Sequence, residues 1–93
     1  LPIRGEGGTT INNLDVYPNP SRDIFNVSFV SENIQTLHIN INSIFGEVVY
    51  TEALEQFVGE YTKQIDLSNF SKGVYIIKIT TDLGVVNKKI VLQ

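Results

Sequence analysis

TLHININ, residues 36–42, decides how this chain is read. Its apolar residues Leu37, Ile39 and Ile41 alternate strictly with His38, Asn40 and Asn42. Successive side chains on a β-strand point to opposite faces, so this period of two gives one buried face and one wetted face. The same rhythm recurs on either side. DIFNVSFV (residues 23–30) sets Phe25, Val27 and Phe29 against Asn26 and Ser28. EVVYTEAL (47–54) is a further candidate, and YTKQIDL (61–67) aligns Tyr61, Lys63, Ile65 and Leu67. VYIIKIT (74–80) aligns Tyr75, Ile77 and Ile79, VVNKKIVL (85–92) closes the series, and a short strand from Leu14 to Tyr17 opens it. Seven short strands about ten residues apart, with no helical stretch, predict an all-β fold, a seven-stranded antiparallel β-sandwich. A closed barrel is the alternative, although the final strand offers no obvious partner for closure.

The turns agree with this pattern. TDLGVV places Gly84 where a short hairpin loop needs a positive φ, and NSIFGEV uses Gly46 similarly, with Ile44 and Phe45 making that turn unusually apolar. LSNFSKG (67–73) reads as an arch with Leu67 and Phe70 tucked beneath it and Gly73 releasing the next strand. Ahead of the strands, LPIRGEGGTTINN (1–13) has three glycines and no periodicity, which makes residues 1–13 a flexible linker and residues 14–93 the folded domain.

Composition sets limits on function. At 93 residues the chain suits one small domain, which buries roughly 60–65% of its unfolded surface. It has no cysteine, so neither a disulfide framework nor a thiolate metal site can form. No apolar run approaches the roughly 18–20 residues of a membrane-spanning helix. A chain that starts at Leu1 and lacks methionine reads as a piece of a longer polypeptide. The net charge of −3 divides unevenly: residues 1–71 carry nine acids and three bases, residues 72–93 four lysines and one acid. Nucleic acid is therefore not an expected partner, because the basic end is small and the acidic remainder repels phosphate.

Catalytic constellations are thin. His38 is the only histidine, on the polar face of its strand, so neither a zinc site nor a serine triad can be assembled around it. The ten carboxylates are scattered, and a small filled sandwich offers no cleft for paired-acid chemistry. Asn12, Asn13 and Asp15 could face calcium, but no D-x-[DN]-x-[DN]-G loop is present. Asn26-Val27-Ser28 and Asn69-Phe70-Ser71 match the glycosylation triplet, which has meaning only in a eukaryotic secretory setting. No enzyme and no cofactor are expected.

Five features in order remain: YPNP (17–20), the I-x-I-x-x-x-x-G-x-x-V pattern from Ile39 to Val49, a central G-x-Y, DLSNFSKGVYIIKI (66–79), and NKKIVLQ (87–93). Together they resemble the C-terminal sorting domain (type A) of cargo proteins of the bacterial type IX secretion system. The resemblance implies a seven-stranded immunoglobulin-like sandwich ending a multidomain cargo that passes through the periplasm to the cell surface or the medium. It implies as partners the outer-membrane translocon with its shuttle components and a sortase-like cysteine peptidase acting in the linker. The family's signal elements fall on Pro18, Asn19 and Pro20, on Gly73 and Tyr75, and on Lys88, Lys89, Ile90, Val91 and Leu92. The rival reading is an immunoglobulin-like accessory module of a surface enzyme or adhesin, binding glycan or spacing domains. A weak dimer through an exposed edge strand stays open.

Each element has a structural role as well. Pro18 and Pro20 remove two backbone donors and hold two φ angles, which ends the first strand. Gly73 and Tyr75 look like a tyrosine corner, its hydroxyl returning to the preceding arch. Adjacent strand residues face opposite ways, so one of Lys88 and Lys89 shares the side of Val86, Ile90 and Leu92 and must reach an edge to keep its ammonium in water.

Overall fold

The computed structural model describes residues 11–93, which form five strands: β1 (Ile11–Tyr17), β2 (Ile24–Ser43), β3 (Val48–Asp66), β4 (Gly73–Thr81) and β5 (Gly84–Leu92). All named strand pairs are antiparallel, in the order β1-β2-β4-β5, with β3 on the other side of β2. β1 and β4 share one edge of β2: β1 pairs along Ile11–Tyr17 with residues up to Ser31, and β4 takes over from His38.

Five strands replace the expected seven. DIFNVSFV and TLHININ are two halves of β2, and EVVYTEAL and YTKQIDL are two halves of β3. The connecting residues contain no proline and hold no tight turn. Instead the ladder slips its register between Ser31 and Gln35 and again between Gln35 and Leu37. On β3 the matching bend holds Gln56 at φ 51° and Gly59 at φ 103°. Bulges of this kind bend a strand while the ladder continues beyond them. β1 also begins at Ile11, taking in Ile11, Asn12 and Asn13 from the stretch assigned to the linker. Residues 1–10 of that linker lie outside the described residues.

The bends curl the sheet onto itself. Residues nine apart on a straight strand would stand about 30 Å from each other. Yet the Tyr61 hydroxyl donates to Glu52 Oε1 at 2.7 Å, so the two halves of β3 lie against one another. One core fills the space between: Phe25, Val27 and Phe29 from the first half of β2, Leu37, Ile39 and Ile41 from the second, with Ile77, Ile79, Ile90 and Leu92. Strict alternation is thus preserved on both sides of the bend, and His38 is exposed on the polar face.

The turn of residues 43–47 is held by Ser43. Its Oγ accepts from the Phe45 and Glu47 amides at 3.2 and 3.1 Å, and its amide donates to the Glu47 carbonyl at 2.8 Å. This turn presents Phe45 to solvent, 90% exposed. In the arch, Leu67 is buried and Phe70 half-buried, with the Phe70 amide donating to the Leu67 carbonyl at 3.0 Å.

Candidate functional site

A proline has no N–H, so Pro18 and Pro20 cannot take part in an ordinary ladder. Between them Asn19 carries a primary amide, which has the donor and acceptor of a peptide group. That amide binds the outer edge of β5. Asn19 Nδ2 donates to the Lys89 carbonyl at 2.9 Å, and the Val91 amide donates to Asn19 Oδ1 at 3.1 Å. Ser21 continues the contact with its backbone: its amide donates to the Val91 carbonyl at 2.9 Å and its carbonyl accepts from the Gln93 amide at 2.7 Å. Ser21 and Leu92 form a parallel bridge, so the final strand does have a second neighbour, against the expectation that it had none. Ser21 is buried, and its hydroxyl donates to the Ile24 carbonyl at 2.6 Å. Both the Tyr17–Pro18 and Asn19–Pro20 bonds are cis.

The next strand over carries Gly73 and Tyr75. Gly73 lies opposite Leu92 and Tyr75 opposite Ile90. Tyr75 is buried and its hydroxyl donates to the Ser71 carbonyl at 2.6 Å, which is the expected tyrosine corner. Gly73 holds φ 147°, a backbone that L-residues rarely adopt, while a Cβ there would meet nothing within 4 Å. Gly73→Ala is therefore expected to cost about 1–3 kcal/mol through the backbone alone, seen as a lowered Tm with the rest of the core intact.

Of the ten candidate residues, Tyr75, Ile90 and Leu92 are core residues, Val91 is half-buried, and Pro18, Asn19, Pro20, Gly73, Lys88 and Lys89 are exposed. Lys88 is the lysine on the inner side, and its Nζ reaches the Leu14 carbonyl at 3.3 Å. Lys89 lies opposite Ile76 on the outer face. The three sequence elements, of which the first and last lie some seventy residues apart, thus form one end of the molecule across three adjacent segments. Sequence reading missed the bond between them, and with it Ser21 and Gln93. An asparagine between two prolines was the available signal, since the prolines supply no main-chain donor and the asparagine side chain carries both a donor and an acceptor. Ile44 was also missed: its amide donates to the Val74 carbonyl at 3.2 Å, which brings the apolar turn to the same end.

A second polar cluster joins the halves of β3. Glu52 accepts from the hydroxyls of Tyr50 at 2.8 Å and Tyr61 at 2.7 Å, with Lys63 Nζ 3.9 Å away. Burial opposes ionisation of Glu52, but the two hydroxyls and the ammonium outweigh it and hold its carboxyl below the usual value. Burial first, and then the Glu52 carboxylate, push both tyrosines up. Among the described residues no group of three or more metal-ligating side chains occurs.

Residues 19–21, β4 from Gly73 and β5 to Leu92 are thus joined by backbone pairing and the Asn19 amide within one all-β module. The chain is a member of the secretion system C-terminal sorting domain family, whose model matches residues 15–93. It is accordingly a non-catalytic sorting signal of type IX secretion, a system whose cargo crosses the outer membrane to the cell surface or is released. A similar sequence occurs in the ulvan lyase NLR42 of Nonlabens ulvanivorans, 37% identical over 73 residues. That alignment covers 77% of this chain and 12% of the lyase. Family membership disfavours the accessory-module reading.

Proposed function

We propose that the end formed by Asn19–Ser21, Gly73–Tyr75 and Lys88–Gln93 is the face through which the type IX apparatus recognises the folded domain. The observation that carries this reading is the pair of hydrogen bonds from Asn19 to Lys89 and Val91, which makes one surface of separate elements. Pro18, Asn19, Pro20, Gly73, Lys88 and Lys89 present its exposed part, and Ile90, Val91, Leu92 and Tyr75 hold it in place. The partners are the translocon and its shuttle components, met in the periplasm, and a sortase-like cysteine peptidase acts in the linker ahead of β1. Lys88 and Lys89 favour acidic groups on the partner, a contact that raises association rate and specificity. The curled sheet corresponds to the two layers of an immunoglobulin-like sandwich, joined through the bends of β2 and β3.

The test fuses the whole chain to a reporter carrying a signal peptide, in a bacterium that has the system. The reporter is expected at the surface or in the medium, and deletion of Lys88–Gln93 is expected to leave it periplasmic. Lys88→Glu with Lys89→Glu separates recognition from folding: both side chains are exposed, so stability should move by only about 0.5 kcal/mol while export falls. Periplasmic retention of the intact fusion, or normal export of the truncated one, overturns the reading.

A further inference from the structure

Residues 19–21 occupy β5 in a way that has a second consequence. They fill a row of main-chain groups on its outer edge: the Lys89 carbonyl, the Val91 amide and carbonyl, and the Gln93 amide. Such a row is what one strand offers another. Little apolar contact holds the occupant there. Between the buried Val16 and the buried Phe25, the only buried residue is Ser21. Tyr17, Pro18, Asn19, Pro20, Arg22 and Ile24 are all exposed. What retains the segment is polar: the bonds to β5, the Ser21 hydroxyl on Ile24, and Lys72, whose Nζ donates to the Arg22 carbonyl at 2.6 Å and pairs with Asp23. Segments held by exposed hydrogen bonds and few apolar contacts open locally, below the free energy of global unfolding.

We infer that the outer edge of β5 from Lys89 to Gln93 is a strand-acceptor site, and that residues 19–21 are its built-in, displaceable occupant. The ligand class follows from what the segment covers. The acceptor groups are main-chain groups, so the incoming ligand is an extended peptide segment that adds to the sheet edge. The parallel bridge of Ser21 with Leu92 sets its direction along β5. Lys88 and Lys89, exposed beside the row, select a segment bearing carboxylates. In the resting domain the edge is closed, which blocks pairing with other chains; on recognition, the acidic segment of the partner takes the place of Asn19 and Ser21. This inference rests on the recognition face proposed above and adds to it the exchange of one strand for another.

A disulfide tests it. The chain has no cysteine, and Ser21 and Leu92 are buried bridge partners on neighbouring segments. Neighbouring strands lie about 4.8 Å apart, within the span a disulfide bridges. In the reporter fusion, Ser21→Cys with Leu92→Cys is expected to cross-link in the periplasm and to lower export relative to the same double variant kept reduced with dithiothreitol. Export of the cross-linked fusion overturns the exchange, whereas failure of the unaltered fusion to be exported would strike the recognition reading itself. Hydrogen exchange supplies a measurement that does not depend on the core variant. In the isolated chain, Asn19→Ala is expected to accelerate exchange of the Val91 and Gln93 amides on the order of tenfold or more, with the Ile77 and Ile79 amides unchanged. Unchanged protection at Val91 and Gln93, or acceleration spread evenly over the sheet, overturns a locally displaceable occupant.

Discussion

Phe29→Ala is expected to destabilise the domain by about 3–5 kcal/mol and to lower its urea midpoint by roughly 2–4 M. Phe29 is 2% exposed and lies where the halves of the curled sheet meet. Its ring stacks on Tyr61 at 4.7 Å and 16°, and meets Phe57 edge-on at 6.3 Å and 67°. Phe57 and Tyr61 complete the triangle at 6.2 Å. Alanine therefore removes a buried ring and two aromatic contacts, each worth about 0.5–1.5 kcal/mol beyond its area. A domain of this size has little stability in reserve, and the variant should populate the unfolded state measurably at 37 °C. Phe45→Ala is the matched control. Its ring is 90% exposed, and its loss should move stability by no more than about 0.5 kcal/mol.

Glu52→Ala should cost about 2–3 kcal/mol, because it strips a charged acceptor from two tyrosine hydroxyls, one of them on the buried Tyr61. The effect depends on pH in a defined direction. The folded domain holds the Glu52 carboxyl below its ordinary value of about 4.5. The carboxylate therefore contributes stability above about pH 4.5, and that contribution disappears as pH falls through the lower folded value. The stability gap between the native chain and Glu52→Gln should accordingly be widest near neutrality and narrow towards pH 3, as followed by urea titrations at each pH. At the alkaline end the tyrosines act in the opposite direction. Tyr50 and Tyr61 are held neutral in the fold, so stability should decline as pH rises above 10, where the unfolded tyrosines ionise.

Much of this architecture could be read from local pattern, and the exceptions share a cause. Phe25, Val27, Phe29, Leu37, Ile39, Ile41, Tyr75, Ile77 and Ile79 were all placed inward by alternation alone, and all are buried. The Tyr75 corner was legible because its acceptor, Ser71, is four residues away. The bends were not. A hairpin shows itself as a tight loop around glycine or proline, whereas β2 bends over SENIQT with neither, and β3 spreads its bend from Gln56 to Gly59, both at positive φ, while staying in the ladder. Once the bends were missed, so was the pairing of Glu52 with Tyr61, which exists only because β3 doubles back. The recognition end was half legible. Its elements were identified separately, but the amide of Asn19 meets Val91 across 72 residues, and no local pattern encodes a contact at that distance.

That separation bears on how the domain comes into being. Asn19 emerges from the ribosome long before Lys89 and Val91, and Phe25 long before Ile90. A chain broken off before Lys88 contains neither of the β5 groups that Asn19 binds, and its fourth strand lacks the β5 partners of Tyr75 and Ile77. Pairings between distant segments also form slowly. The closed end therefore forms only once residues 89–93 have been translated, and a chain terminated before them never acquires it.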